Sequence, residues 1–191
     1  MVQKIFTQLE NLAFNLQHWY MKPKMTRERV SRHYAFFHPR PTGKLVLDAY
    51  RQRTRIILVT GVFDLLHLEH KKLLQAAKNL GGVLLVGVET DRRVKQLKGD
   101  NRPVNPLFIR LQNLRRLRLA DKIFNLPEKF NNQSDFAALI RKLKPDILAV
   151  SASTPNLVVK RRIMKRFDGR VVIVLAHNPK VSTSKMLKLN Q

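Results

Sequence analysis

The run Ile56-Ile57-Leu58-Val59-Thr60 is apolar and β-branched, and it ends at Gly61. From there Val62-Phe63-Asp64-Leu65-Leu66 leads to two histidines, His67 and His70. A strand that is apolar throughout has to be buried on both faces, as the central strands of a parallel sheet are. The glycine allows a tight turn and lets backbone N–H groups come close to a ligand. Apolar residues at helical spacing follow, so strand, turn and helix N-terminus come in succession. α/β proteins bind phosphate with this arrangement, because the first N–H groups of a helix have no internal partner and point outward. Histidines at i and i+3 share a helix face, so both imidazoles can reach one bound group. Taken singly, Gly61 reads as a strand-end turn glycine and Asp64 as a helix cap. The histidine pair at the mouth of the turn points to function instead. Zinc would need a third ligand, and none is near in the sequence, so no metal site is expected.

From Arg55 onward, apolar strands and helical segments alternate. Strands are expected at Ile56–Val59, Val83–Val88, Ile123–Leu126, Ile147–Val150 and Val171–Leu175. Helices are expected at Leu66–Leu80, Asp91–Leu97, Leu107–Ala120, Phe136–Leu143, Asn156–Phe167 and Ser182–Leu189. Leu73, Leu74, Ala77 and Leu80 form the inward stripe of the first helix, and Gly81-Gly82 stops it. The pattern predicts an α/β fold: a doubly wound parallel sheet with right-handed crossovers. Ligands in such sheets sit beyond the strand carboxyl ends at the switch point, which is where the histidine segment falls.

Residues 1–54 have a different character. They hold ten Lys/Arg against three acids and carry His33, Tyr34, Phe36 and Phe37. Leu9, Leu12, Leu16 and Trp19 approximate a helical stripe, so this is expected to be a basic, partly helical N-terminal extension to a domain over 55–191. A transit peptide fits the scarcity of acids. It does not fit the single lysine and absent arginine of the first twenty residues.

Across all 191 residues, 37 Lys+Arg against 13 Asp+Glu give a net charge of +24. A field of that sign attracts polyanions, nucleic acid among them. No apolar run approaches the ~18 residues of a membrane-spanning helix. With no cysteine, disulfides and thiol chemistry are excluded. The expected location is cytoplasmic, with the mitochondrial matrix or another organelle as the alternative.

The block Gly61-Val62-Phe63-Asp64-Leu65-Leu66-His67-Leu68-Glu69-His70 resembles the G-x-F-D-x-x-H-x-G-H signature of the cytidylyltransferase-like nucleotidyltransferases. Three further segments match that family in order. Thr90-Asp91 followed by Lys98-Gly-Asp-Asn-Arg-Pro-Val104 resembles its D-x-x-V…K-G-x-x-R-P-[IV] segment, with Arg110 at the fitting distance. Leu143-Lys-Pro-Asp-Ile-Leu148 resembles its K-P-D strand entry, and Val181-Ser-Thr-Ser-Lys-Met-Leu187 its [IV]-S-T-[ST] motif. The likeness spans about Arg55 to Leu189. The Arg102–Pro106 run is most similar to the adenylyltransferase domains of ADP-heptose synthases, and glycerol-3-phosphate cytidylyltransferases come next.

The resemblance implies transfer of a nucleotidyl group from ATP or CTP to a sugar or polyol phosphate, with release of pyrophosphate and with Mg²⁺ accompanying the nucleotide. His67, His70 and Lys98 would be catalytic. Thr60, Gly61, Val62, Phe63, Arg110, Ser182, Thr183 and Ser184 would bind nucleotide and phosphate. The resemblance leaves room for a homodimer. Two segments depart from the pattern: Glu69 replaces the glycine between the histidines, and Ser151-Ala-Ser-Thr-Pro-Asn156 replaces a nucleotide-contacting K-G-x-D-[YW] segment. The alternative they open is an inactive relative that binds RNA or a ribonucleoprotein such as an organellar ribosome. Arg115-Arg116, Arg118, Lys160-Arg161-Arg162 and Lys165-Arg166 would then serve phosphate contacts, and the aromatics of the basic extension would stack on bases.

Overall fold

The computed structural model describes residues 54–176, and the expectations for the N-terminal extension and for the Ser182–Leu189 helix lie outside them. Residues 55–176 form one α/β unit built on a five-stranded, all-parallel sheet of order β3-β2-β1-β4-β5. The strands are β1 (Ile56–Gly61), β2 (Val83–Val88), β3 (Lys122–Asn125), β4 (Ile147–Ser151) and β5 (Arg170–Leu175). The helices are α1 (Leu68–Lys78), α2 (Asp91–Lys98), α3 (Leu107–Arg116), α4 (Gln133–Leu143) and α5 (Leu157–Arg166). The doubly wound parallel fold expected from the sequence is the fold observed. None of these helices is long and apolar enough to cross a membrane.

β1 is central, paired with β2 over its whole length (Ile56 with Val83 through Gly61 with Val88) and with β4 at Ile57–Ile147 and Leu58–Leu148. The chain builds outward from β1 through β2 to β3, then returns to β4 and β5 on the other side. The switch point therefore lies beside the carboxyl end of β1, where the open crevice of such a sheet falls. Ile57, Val59, Leu84, Val86 and Ala149 join Leu74 and Ala77 of α1 and Leu107 and Leu114 of α3 in one core cluster. The alternate residues Ile56, Leu58, Leu85 and Leu148 are just as buried, as two-sided covering of a parallel sheet requires.

Element ends follow local chemistry. Asn132 and Asp135 make a reciprocal capping box that starts α4 at Gln133, three residues before the apolar periodicity begins. α3 ends at Arg116, short of the expected Ala120, because Arg118 takes φ 53° and turns the chain toward β3. Two carboxylates lock strand entries. Asp146 Oδ2 accepts the Ile56 N–H at 2.6 Å, and Asp121 Oδ2 accepts the Leu84 N–H at 2.8 Å. Gly82, at φ 140°, enters β2 where a Cβ would lie 2.3 Å from the Arg55 carbonyl oxygen.

Candidate active site

The turn between β1 and α1 is held by contacts its own sequence does not reveal. Phe63, and not the glycine, takes the left-handed backbone conformation, with φ 51°. Gly61 is required for space: a Cβ there would meet the Phe63 ring at 3.0 Å. The ring itself is buried beneath the turn.

Asp64 was expected to cap the following helix. The N-cap of α1 is instead His67, whose side chain makes no capping bond. Asp64 is 1% exposed and serves as a latch. Its Oδ2 accepts Arg102 Nε at 2.8 Å, Arg102 Nη2 at 2.6 Å and the Val104 N–H at 3.0 Å, while Oδ1 accepts the Asn105 N–H at 2.8 Å. Asn105 Nδ2 donates back to the Asp64 carbonyl at 2.8 Å. Burial alone would raise this carboxyl, but the Asn105 and Val104 amides and the Arg102 guanidinium outweigh it and hold the pKa below the usual range. Charge-assisted bonds of this density fix the loop after α2 against the turn after β1.

Arg110, expected to hold phosphate, is 0% exposed. Its Nη1 donates to the Val62 carbonyl at 2.6 Å, Nε to the Asn105 carbonyl at 3.0 Å and Nη2 to Asp91 Oδ1 at 2.7 Å. It acts as a strut under the site. Asp91 Oδ2 also accepts the Leu107 N–H at 3.1 Å, so one carboxylate ties α2 to the start of α3.

Above this frame stand the histidines. The His67 and His70 rings stack with centroids 3.8 Å apart and planes 18° from parallel, and Phe63 meets His70 edge-on at 5.3 Å. Burial first, then the neighbouring His67 and Lys98, push His70 down to about 4. Burial also lowers His67, with Glu69 pulling the other way and Lys98 adding to the fall. Both rings are therefore neutral at neutral pH, and each keeps a buried Nδ1 without a hydrogen-bond partner among the described residues. Lys98, at the end of α2, is lowered by partial burial and by Arg102. Its positive charge acts on both histidines.

The remaining expected site residues sit close by. Thr60 and Gly61 end β1, in register with Gly87 and Val88. Val62 gives its carbonyl to Arg110. The first turn of α1 opens toward the histidines, its earliest internal bond being Lys71 N–H to the His67 carbonyl at 3.2 Å. Ser182, Thr183 and Ser184 lie outside the described residues. Glu69 pairs with Lys72 Nζ at 3.0 Å, on the same face of α1. Sequence reading missed Asp64 as a latch, Arg102 and Asn105 as its partners, and Glu89. A carboxylate that ends an otherwise apolar strand, as Glu89 does after β2, was the available signal for the last of these.

The cytidylyltransferase-like family model matches residues 58–188, more than half of the chain. The chain belongs to that family. It is 46% identical over 101 residues to the Bifunctional protein HldE of Nitratiruptor sp., covering 53% of this chain and 21% of that one. It is 36% identical over 133 residues to the HldE of Gluconobacter oxydans, covering 69% of this chain and 27% of that one. The chain thus spans about a quarter of the length of these relatives. The crystal structure of a lipopolysaccharide core biosynthesis protein from Thermoplasma volcanium has the same fold, with a TM-score of 0.52 and 24% identity. That match covers 65% of this chain and 97% of the other.

Proposed function

We propose that this domain transfers a nucleotidyl group from a nucleoside triphosphate to a phosphorylated sugar or polyol and releases pyrophosphate. The observation that carries the reading is the stacked, neutral His67–His70 pair beside the open N-terminus of α1, with Lys98 close by. Membership of the cytidylyltransferase-like family and likeness to part of the HldE relatives support it.

In this reaction an oxygen of the acceptor phosphate attacks the α-phosphorus. A new P–O bond forms, the bond to the β-phosphate oxygen breaks, and pyrophosphate leaves with that electron pair. No covalent enzyme intermediate is needed, so the protein's work is positioning and stabilising developing charge. Neutral imidazoles donate N–H to phosphate oxygens, and Lys98 adds a full positive charge. The free amides at the start of α1 complete the cradle. Glu69 raises the affinity of His67 for a proton, which favours the donor form as phosphate charge arrives. Magnesium accompanying the nucleotide would supply charge neutralisation on the triphosphate. A screen of pyrophosphate release over ATP and CTP with a panel of sugar and polyol phosphates tests the reading. Release that depends on one nucleotide and one acceptor is expected. A flat panel, with no nucleotide-dependent rise in melting temperature, contradicts it.

A second reading, RNA binding, rests on the net charge of +24 and on α5, where Arg161, Arg162, Lys165 and Arg166 are all exposed. Such a surface supplies sequence-independent phosphate affinity. RNA that co-purifies and is released by salt supports it, and protein that elutes free of nucleic acid at low salt counts against it.

A further inference from the structure

Glu89 is the residue that the catalytic frame leaves unexplained. It follows directly on β2, and its N–H donates to the Gly61 carbonyl at 3.0 Å. Its backbone is thereby fixed alongside the end of β1, next to the phosphate-binding turn. Three cations from three elements act electrostatically on its carboxyl: Arg93 of α2, Arg110 of α3 and Lys160 of α5. Arg110 also donates to the Val62 carbonyl, which links this cluster to the turn. Lys160 comes from the far half of the sheet, so the cluster spans the switch-point crevice.

No ion pair closes within this cluster. The buried Oε2 of Glu89 and the buried Nε of Arg93 both lack a hydrogen-bond partner among the described residues. Buried polar atoms without partners are rare, and each one is unmet hydrogen-bonding capacity that a ligand recovers on binding. Asp64, a few residues from the same edge, has its oxygens filled by four N–H groups. Glu89 is half-buried at the rim of the crevice and has acceptor capacity to spare.

Ligands in doubly wound sheets bind in the crevice beyond the strand carboxyl ends, and Glu89 follows the carboxyl end of β2 at that crevice. A carboxylate is acceptor-only and two-pronged, matching a pair of neighbouring hydroxyl donors. We propose that Glu89 reads a vicinal diol, its carboxylate accepting hydrogen bonds from adjacent hydroxyls of a ribose or sugar whose phosphate is held at the turn after β1. Burial raises the pKa of this carboxyl, and Arg93, Arg110 and Lys160 oppose that rise and offset its repulsion of the ligand's phosphates. The inference rests on the transferase reading and adds a specificity residue to that site. Two ligands could present the diol, the nucleotide's ribose or the acceptor's sugar.

Calorimetric titration of the full chain separates these outcomes, using inorganic tripolyphosphate, ATP, CTP, their 2′-deoxy counterparts and a sugar 1-phosphate. Wild type is compared with Glu89→Ala and with the same-sized Glu89→Gln. If the diol is the ribose, wild type prefers ribo- to deoxynucleotide by about tenfold or more. Glu89→Ala loses that preference while tripolyphosphate affinity, which also reports an intact site, stays the same. If the diol is the acceptor's, the ribo/deoxy ratio is equal in both proteins and only the sugar phosphate weakens, by a similar factor. Unchanged ratios for every ligand, with tripolyphosphate still bound, overturn the role of Glu89 and leave the transferase reading intact. Wild-type protein that binds neither tripolyphosphate nor nucleotide overturns the transferase reading, and the diol proposal falls with it.

Discussion

Around the turn that follows β1, Arg102 and Arg110 are buried and each is locked to a carboxylate, Arg102 to Asp64 at 2.6 Å and Arg110 to Asp91 at 2.7 Å. On α5, Arg161, Arg162, Lys165 and Arg166 stand exposed, with no ion pair among the described residues. In the first region the carboxylates cancel the arginines, so it adds nothing to the charge of +24. The second adds four positive charges and presents them to a partner. A buried guanidinium persists only when carboxylates and carbonyls satisfy its donors, and it then acts as a rigid brace. An exposed one costs little and contributes little to stability, and is available to a polyanion. Net charge alone cannot distinguish a braced site from a sticky surface.

The comparison breaks first at Asp64. Replacing it with alanine strands Arg102, which is 8% exposed, and releases the Val104 and Asn105 amides. Removing one partner of a buried pair costs about 3–5 kcal/mol, so Asp64→Ala should lower the denaturation midpoint steeply. A loss below about 1 kcal/mol in urea titration would show that the latch carries no load.

Acid provides the next test. His70 binds its proton only near pH 4 in the folded protein, against about 6.5 when unfolded. Between those values the unfolded chain holds more protons than the folded one. Stability is therefore complete above pH 6.5 and declines as pH falls toward 4, by at most about 3–4 kcal/mol at 1.36 kcal/mol per pKa unit. Urea midpoints measured across this range should decline for wild type and flatten for His70→Gln. Parallel curves for the two proteins would remove the histidine from the acid response.

Gly61→Ala sharpens the account of the turn. Its Cβ would press on the Phe63 ring, which is itself buried and cannot swing into solvent, so overpacking of about 1–3 kcal/mol is expected. A neutral substitution would mean the ring has room to give.

The smallest effect on stability belongs to α5. Changing Arg161, Arg162, Lys165 and Arg166 together to glutamine should shift stability by only about 0.5 kcal/mol, while the salt dependence of any RNA retention becomes shallower. Lost stability would move these residues into the same class as Arg102.

What the sequence made legible divides along the same line. Strands β1, β2 and β4 announce themselves because burial on both faces demands unbroken apolar runs such as Ile56–Val59 and Leu84–Val88. The His67–His70 pair was readable because three-residue spacing on a helix is a local geometric fact. The brace was not. Asp64 reaches partners 38 to 41 residues away, and no local rule distinguishes that contact from an N-cap. Arg110 stood out through motif spacing, but spacing cannot say whether a guanidinium faces a ligand or lies beneath it. The start of α4 was missed because Asn132 and Asp135 set it through polar capping, ahead of the apolar stripe.

The direct test of the central claim compares wild type with His70→Ala in pyrophosphate release, under the best nucleotide and acceptor from the screen. If the stacked pair stabilises the transferring phosphorus, release should fall by about 100-fold or more, while tripolyphosphate still binds and the protein stays folded. Equal release by the two proteins would contradict the account.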